Sequence, residues 1–163
     1  MKFMLRAATQ EDYDAVCMLY AQGDAFHAQA LPQYFRPFAG PARSREYFER
    51  MLANDNEAMF VAEQQAELIG MIRSEVRTAP DLPLFVPHRF VYIDDLVVSE
   101  HFRHQGVGLA LVERVHQWTR DTGLTEVELG VWEFNTPARI LYEKLGYQTT
   151  RRIMSKRLGG MGD

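Results

Sequence analysis

The segment Arg103-His104-Gln105-Gly106-Val107-Gly108 carries the residue types and spacing that say most about chemistry in this chain. It follows an apolar run that ends at Val98 and leads into a helical pattern. The first backbone N–H groups of a helix have no partner within it, and with the helix dipole they favour phosphate binding. Gly106 and Gly108 let the backbone approach a ligand closely, and Arg103 adds a fixed positive charge. The segment predicts a site for a phosphate-containing ligand.

Two widespread phosphate-binding patterns are absent from the chain. It has no G-x-x-x-x-G-K-[ST] segment, which excludes a P-loop. The R-x-x-G-x-G form also departs from the G-x-G-x-x-G fingerprint of dinucleotide-binding folds. A plain nucleotide binder of either type is therefore disfavoured.

Adjacent carboxylates, Asp94 and Asp95, interrupt the strand-like run Phe90–Val98. Such groups are costly to bury without partners, so a carboxylate in an apolar strand calls for an explanation. It is either an ion-paired or capping group, or a group that takes part in proton transfer. Strict alternation places Asp94 on one face and Asp95 on the other. A bulge would break that count.

Periodicity predicts the elements that position these segments, in the order β α α β β β α β α β. A hairpin turns at Gln64–Ala66, and the helix Val107–Thr122 crosses from the strand Arg89–Val98 to the strand Glu126–Val131. Because a hairpin joins antiparallel strands and this crossover joins parallel ones, the predicted sheet is mixed. The last predicted strand is Tyr147–Arg157. The aromatic and proline-rich stretch Ala25–Arg43 is expected to be too broken for one long helix.

Composition excludes several classes of protein. The length of 163 residues suits a single domain over residues 1–158, with a frayed tail at 159–163. The net charge of -4 argues against a nucleic-acid partner. The lone cysteine, Cys17, fits the reducing cytoplasm. No apolar stretch has the length of a membrane span, and the N-terminus turns polar too early for a signal peptide.

Three segments together resemble the GNAT superfamily of N-acetyltransferases: Tyr92–Val98, Arg103–Gly108 and Asn135–Tyr147 (NTPARILYEKLGY). The resemblance implies an α/β fold (α+β in some schemes). Its centre is a mixed, mostly antiparallel sheet of six to seven strands, flanked by helices and splayed at the acetyl-CoA cleft. It also implies acetyl-CoA as co-substrate, no metal, and homodimer formation, which is common in the family.

The resemblance implies which residues contact acetyl-CoA. The main chain of the strand before the glycine-rich loop is expected to pair with the pantetheine arm, and the loop is expected to wrap the pyrophosphate. Asn135 matches a cofactor-contacting asparagine, and it is also a good helix N-cap. The strand and loop positions are Leu96, Val97, Val98, Arg103, His104, Gln105, Gly106, Val107, Gly108 and Leu109.

The resemblance also implies direct transfer of acetyl from acetyl-CoA to an amine. Tyr142 matches the tyrosine that protonates the departing CoA thiolate, for which a phenol is a suitable donor. The alternative role of Tyr142 is that of an aromatic side chain packed in the core. Asp94 matches the acidic position that some members use as general base, and it is preferred to Asp95.

The acceptor of the acetyl group is open. The family places an acceptor loop at the aromatic stretch, where His27, Tyr34 and Phe35 are candidate contacts; the alternative is a small hydrophobic cluster under a loop. The acceptor is expected to be a primary amine of a small molecule or peptide. The alternative function is a non-catalytic, acyl-CoA-binding regulatory module.

Overall fold

The computed structural model describes residues 2–158. The chain divides into two compact units, Met1–Gly130 and Val131–Asp163. The predicted frayed tail, residues 159–163, lies outside the described residues. No helix of the described part is long and apolar enough to cross a membrane.

The first unit holds the sheet and most of the helices. Short 3₁₀ turns at Gln10–Asp12 and Glu100–Phe102 precede the first and third of its helices. In chain order its elements are β1 (Met4–Ala7), α1 (Tyr13–Ala30), α2 (Arg45–Leu52), β2 (Glu57–Gln64), β3 (Glu67–Thr78), β4 (Arg89–Val98), α3 (Val107–Asp121) and β5 (Val127–Leu129). The second unit contains α4 (Thr136–Lys144).

The strands form one sheet in the order β1-β2-β3-β4-β5. All neighbours pair antiparallel except β4 and β5, which are parallel. The prediction of a mixed, mostly antiparallel sheet is confirmed. The predicted number of six to seven strands was wrong, because the sheet within residues 2–158 has five. The predicted strand Tyr147–Arg157 is absent. Periodicity shows which side chains can share a face, but a strand also needs a neighbouring backbone to satisfy its N–H and C=O groups.

Helix α1 is longer than the sequence predicts and continues to Ala30. The residues Ala25–Ala30 include good helix formers, and Pro32 follows directly after Leu31, where a proline prevents continuation. Phe26 and His27 therefore belong to a helix rather than to an irregular loop.

The helices of the first unit cover both faces of the sheet. One core cluster joins α1 and α2 to Val61 and Met71 of β2 and β3. Neighbouring strand residues point the opposite way, and there α3 packs on β3. A Cβ atom added to Gly70 would lie 3.0 Å from Val107 Cγ1 and 3.2 Å from Leu111 Cδ1. The glycine thus lets α3 pack closely against the sheet.

Candidate active site

The loop between β4 and α3 has the geometry of an anion site. Gly106 is the residue before α3 and has φ of 84°, a left-handed conformation that favours glycine. His104 is also left-handed, with φ of 60°, which is a strained backbone for a residue with a Cβ atom. The first turn of α3 contains no acidic residue. No carboxylate in that first turn therefore repels an anion at the N-terminus of α3.

The amides at this helix end are available to a ligand. Among the described residues, the first amide of α3 to bond within the chain belongs to Ala110, which donates to Gly106 O at 3.0 Å. The amides of Val107, Gly108 and Leu109 precede it, in the turn where a helix leaves N–H groups without partners. The predicted loop residues thus lie together at one helix N-terminus.

The side chain of Arg103 turns back towards β4. Its Nε donates to Val98 O at 3.3 Å, and its guanidinium carbon lies 5.9 Å from the centre of the Phe26 ring. Gln105 Nε2 donates to His101 O at 3.0 Å, which braces the loop. Arg103 therefore places a positive charge beside the end of β4, within reach of a ligand that follows this strand into the loop.

The edge of β4 that faces β5 is paired over part of its length. The two strands pair at Val91, Tyr92 and Ile93, and β5 ends at Leu129. On the other edge β4 pairs with β3 as far as Val98. In the described residues, the β5-facing edge at Leu96–Val98 therefore has no ladder partner. An open strand edge that leads into an anion-binding loop suits an extended ligand ending in phosphates.

A register shift in the sheet places Asp94 and Asp95 near the same guanidinium. Arg73 is opposite Asp95 and Ser74 is opposite Ile93, so Asp94 is an extra residue in β4. Arg73 Nη1 lies 3.5 Å from Asp94 Oδ2 and 3.9 Å from Asp95 Oδ2. The simple alternation that sends the two carboxylates to opposite faces was wrong, because the bulge adds one residue to the count.

The two carboxylates differ in what they bond. Asp95 Oδ2 accepts a hydrogen bond from the Tyr20 hydroxyl at 3.0 Å. Asp94 Oδ1 accepts from Arg77 Nη2 at 2.7 Å, while Asp94 Oδ2 is buried and accepts no hydrogen bond from any residue of the described part of the chain. Asp94 therefore keeps one oxygen available to take a proton.

The surroundings of Asp94 also favour a proton-transfer role. Burial raises the pKa of Asp94 to about 6, against the opposing charge of Arg73; Glu75 adds to the rise and Arg77 opposes it. A carboxyl group with such a pKa changes its charge close to neutral pH, where a general base works best. Burial, followed by the charge of Asp95, raises the pKa of the Tyr20 hydroxyl, which therefore stays protonated and donates to Asp95.

Sequence reasoning missed Arg73, Arg77 and Tyr20. The two arginines are four residues apart in β3, so they share one face of the strand. That spacing was a readable signal, but only the pairing of β3 with β4 shows which carboxylates they meet. Tyr20 follows the helical spacing of α1, and nothing local indicates that its hydroxyl reaches β4.

A cavity of about 320 Å³ lies between α1 and the segment that follows it. Its lining includes Tyr20, whose hydroxyl bonds Asp95, and the ion pair between Arg43 and Asp24. The rest of the lining is largely small or apolar, and it includes Cys17, Ala21, Ala25, Ala28, Pro37 and Phe38. A volume of this size fits the body of a small molecule.

None of the three candidate acceptor contacts, His27, Tyr34 and Phe35, is among the residues that line this cavity. The rings of His27 and Phe35 have centroids 5.3 Å apart, and His27 Nδ1 is 2.8 Å from Gly23 O. Tyr34 is exposed. The arrangement fits the alternative of a small aromatic cluster, whereas the cavity beside Tyr20 was not foreseen.

The second unit contains Asn135 and Tyr142. Asn135 Oδ1 accepts from the amide of Ala138 at 3.3 Å, so the side chain caps α4. Tyr142 is buried in α4, and its ring packs edge-on against Tyr147 with centroids 5.6 Å apart. Burial raises the pKa of Tyr142 to about 12. The phenol therefore remains a proton donor at neutral pH.

Among residues 2–158, no group of three or more His, Cys, Asp or Glu side chains is placed to hold a metal ion.

Known proteins are similar to this chain in sequence. The model of the acetyltransferase (GNAT) family matches residues 25–147. An uncharacterized N-acetyltransferase of Archaeoglobus fulgidus is 25% identical, covering 97% of each chain. Another, from Methanocaldococcus jannaschii, is 23% identical over 90% of this chain. The match spans 61% of the length of the Methanocaldococcus relative. Human N-acetyltransferase 8 is 32% identical over 99 residues, which make up 42% of its length.

Solved structures share the fold. The BH1408 protein of Bacillus halodurans superposes with a TM-score of 0.88 at 25% identity, covering 95% of this chain and 99% of the other. The aminoglycoside N-acetyltransferase AAC(6')-Iy in complex with CoA superposes with a TM-score of 0.72 at 19% identity, covering 96% and 94%.

Proposed function

This chain belongs to the acetyltransferase (GNAT) family, and from that premise we propose that it is an acetyl-CoA-dependent N-acetyltransferase. It transfers acetyl directly to a primary amine of a small molecule or peptide. The observation that carries the proposal is the edge of β4 at Leu96–Val98, which has no ladder partner among residues 2–158 and leads to the amides that precede Ala110 at the start of α3. That arrangement suits a thioester on an extended arm that ends in a pyrophosphate.

The proposed binding mode uses main-chain groups of the first unit. The pantetheine arm pairs with the backbone of Leu96, Val97 and Val98. The pyrophosphate lies against the loop Arg103–Gly106 and the amides of Val107, Gly108 and Leu109. Support comes from the left-handed Gly106 and the absence of acidic residues in the first turn, and from the CoA complex of a protein with the same fold. Asn135, by its match to the family, is a further proposed cofactor contact.

In the proposed reaction, Asp94 takes a proton from the acceptor ammonium, directly or through water. The neutral amine attacks the carbonyl carbon of the thioester, and a tetrahedral intermediate forms. The C–S bond then breaks, and Tyr142 donates its proton to the departing CoA thiolate. The new amide nitrogen releases its extra proton to water, the Tyr142 phenolate takes one back from water, and Asp94 passes its proton to solvent, so the net products are the amide, CoA thiol and one proton. The free oxygen of Asp94 and the protonated phenol of Tyr142 support these roles.

The charges around Asp94 support a cationic acceptor. Arg73 and Arg77 of β3 lie among four carboxylates, which are Glu57, Glu75, Asp94 and Asp95. The excess of negative charge attracts an ammonium group. The cavity beside Tyr20 is the proposed place for the body of the acceptor. Aminoglycosides are one class to test, since aminoglycoside acetyltransferases share this fold.

Calorimetric titration with acetyl-CoA, CoA and ATP tests the proposed cofactor. We expect micromolar binding of acetyl-CoA and CoA and much weaker binding of ATP, because only the first two carry a pantetheine arm. Absence of binding to acetyl-CoA would refute the proposed cofactor. A screen of polyamines, aminoglycosides and lysine peptides then tests turnover, which is detected as the release of free CoA thiol. Binding without turnover across the screen would favour the non-catalytic regulatory module.

Asp94→Asn tests the general base. We expect kcat/KM at neutral pH to fall by about 10²- to 10⁴-fold, the usual contribution of a positioned base. In the unsubstituted protein only the ionised carboxylate accepts a proton, so kcat/KM should rise with pH through about 6, the pKa of Asp94. That rise should disappear in the variant. Asp95→Asn is the matched control, because Asp95 is bonded by Tyr20; an equal loss in both variants would contradict the assignment.

A further inference from the structure

Arg73 lies at the centre of the charged cluster on the face that α1 and α2 cover. Its side chain is 12% exposed. Nη2 donates to Glu57 Oε2 at 2.8 Å and approaches Glu75 Oε2 at 3.5 Å. Nη1 faces the two aspartates of β4 across the bulge. One guanidinium thus links three neighbouring strands, with four carboxylates around it.

The bonding of Arg73 is uneven. Its Nη2 atom forms hydrogen bonds with Glu57 and Glu75. Its Nη1 atom lies 3.5 Å from Asp94 Oδ2, which makes an ion pair but not a hydrogen bond. Arg77 differs, because it donates directly to the other oxygen of Asp94 at 2.7 Å. Asp94 is therefore oriented by Arg77 through one oxygen and receives only charge from Arg73 at the other.

We propose that Arg73 is a positioning residue for proton transfer at Asp94. Glu57 anchors it so that its charge stabilises the carboxylate while Oδ2 stays uncapped. The inference rests on the proposed function, in which Asp94 is the base. A hydrogen bond from Arg73 to Oδ2 would occupy the lone pair that has to take the proton. Without any positive charge beside it, the buried carboxyl group of Asp94 would stay protonated at neutral pH.

The groups that face Asp94 come from every element packed against this face. Arg73 and Arg77 favour its ionised form and the carboxylates disfavour it. The charged and titratable groups are Glu57 on β2, Arg73, Glu75 and Arg77 on β3, Asp95 on β4, Tyr20 on α1, Tyr47 on α2, and Arg43 before α2.

Arg73→Met is the direct test, read by NMR titration of ¹³C-labelled aspartate carboxyl groups, with Asp94→Asn identifying the resonance. The measurement needs no acceptor. We expect the pKa of Asp94 to rise by about 1 or more, because an opposite charge at this distance lowers a carboxyl pKa by about 1–3. Arg73→Lys should restore most of the difference. An unchanged Asp94 titration in a folded Arg73→Met variant would overturn the proposal.

A matched variant separates charge from packing. Glu57→Gln removes the anchor but keeps the arginine, and it also removes a nearby negative charge, so the pKa of Asp94 should fall rather than rise. If Arg73→Met does not fold, the double variant Arg73→Met/Glu57→Gln removes both partners of the Arg73–Glu57 ion pair, so Glu57 is not left as an unpaired carboxylate. In that background the pKa of Asp94 should still exceed its value in Glu57→Gln; a lower or equal value would overturn the proposal.

Kinetics then connect the titration with the reaction. In Arg73→Met the acidic limb of kcat/KM should move to higher pH by the same amount as the Asp94 titration. A purely structural role would instead lower kcat/KM equally at every pH. If Asp94→Asn leaves turnover unchanged, the proposed base is wrong and Arg73 has no catalytic consequence. If only the titration is flat, the role of Arg73 fails while the proposed function stands.

Discussion

Gly106→Glu is expected to abolish binding of acetyl-CoA, with a loss of at least about 100-fold, or roughly 2.7 kcal/mol, by calorimetry. The carboxylate would stand at the N-terminus of α3, where the proposed pyrophosphate lies. A Cβ atom at Gly106 meets no other atom within 4 Å, so the protein itself has room for the side chain. The loss is therefore expected to come from charge repulsion and from the altered loop backbone.

Gly123→Glu is the matched control for this variant. Gly123 follows the other end of α3, has φ of 76°, and also has no atom within 4 Å of an added Cβ. A residue other than glycine in this conformation costs about 1–2 kcal/mol at either position. Gly123→Glu should therefore lose similar stability and keep its affinity for acetyl-CoA. Normal affinity in a folded Gly106→Glu variant would refute the assignment of the loop.

Tyr142→Phe is expected to lower kcat by about 10²-fold or more with little change in the KM for acetyl-CoA. The substitution removes one hydroxyl group and keeps the ring that packs against Tyr147. Because burial raises the pKa of Tyr142 to about 12, the phenol holds its proton through neutral pH until the thiolate departs. Steady-state kinetics with an identified amine acceptor measure the change.

Tyr147→Phe distinguishes the loss of a proton donor from a general effect of removing a tyrosine hydroxyl. Tyr147 is the ring partner of Tyr142 in the same unit, and burial likewise raises the pKa of its hydroxyl. It matches no catalytic position in the family pattern, so kcat should remain within a few-fold of the unsubstituted protein. An unchanged kcat in Tyr142→Phe would instead leave Tyr142 with a packing role.

Much of the fold was predictable because its signals are local. The strand Arg89–Val98, the glycine before α3 and the crossover to β5 appear in the structure close to their predicted bounds. The signal for the end of α1 is also local, because Pro32 follows shortly after it. The helix was nevertheless predicted too short, because the aromatic residues near its end favoured an irregular loop, and it continues to Ala30. The absent strand at Tyr147–Arg157 shows the limit, since periodicity cannot supply a pairing partner.

The candidate site divides in the same way. The glycine-rich loop before α3 could be predicted, because its residues and the helix that follows are neighbours in the chain. The surroundings of Asp94 could not, because they depend on one bulge between β3 and β4. That bulge brings Arg73 within ion-pair distance of both aspartates, although strict alternation separates them.

By itself, the sequence determined the family, the glycine-rich turn and the residues proposed to contact acetyl-CoA, because these depend on types and spacings within short segments. Only the tertiary structure decided that Asp94 keeps an uncapped, buried oxygen while Asp95 is bonded by Tyr20. It also decided that Arg73 lies within ion-pair distance of both Asp94 and Asp95, and that a cavity lies beside Tyr20. The physical reason is that burial, pKa and hydrogen-bond partners depend on residues far apart in the chain, which only strand register and helix packing bring together.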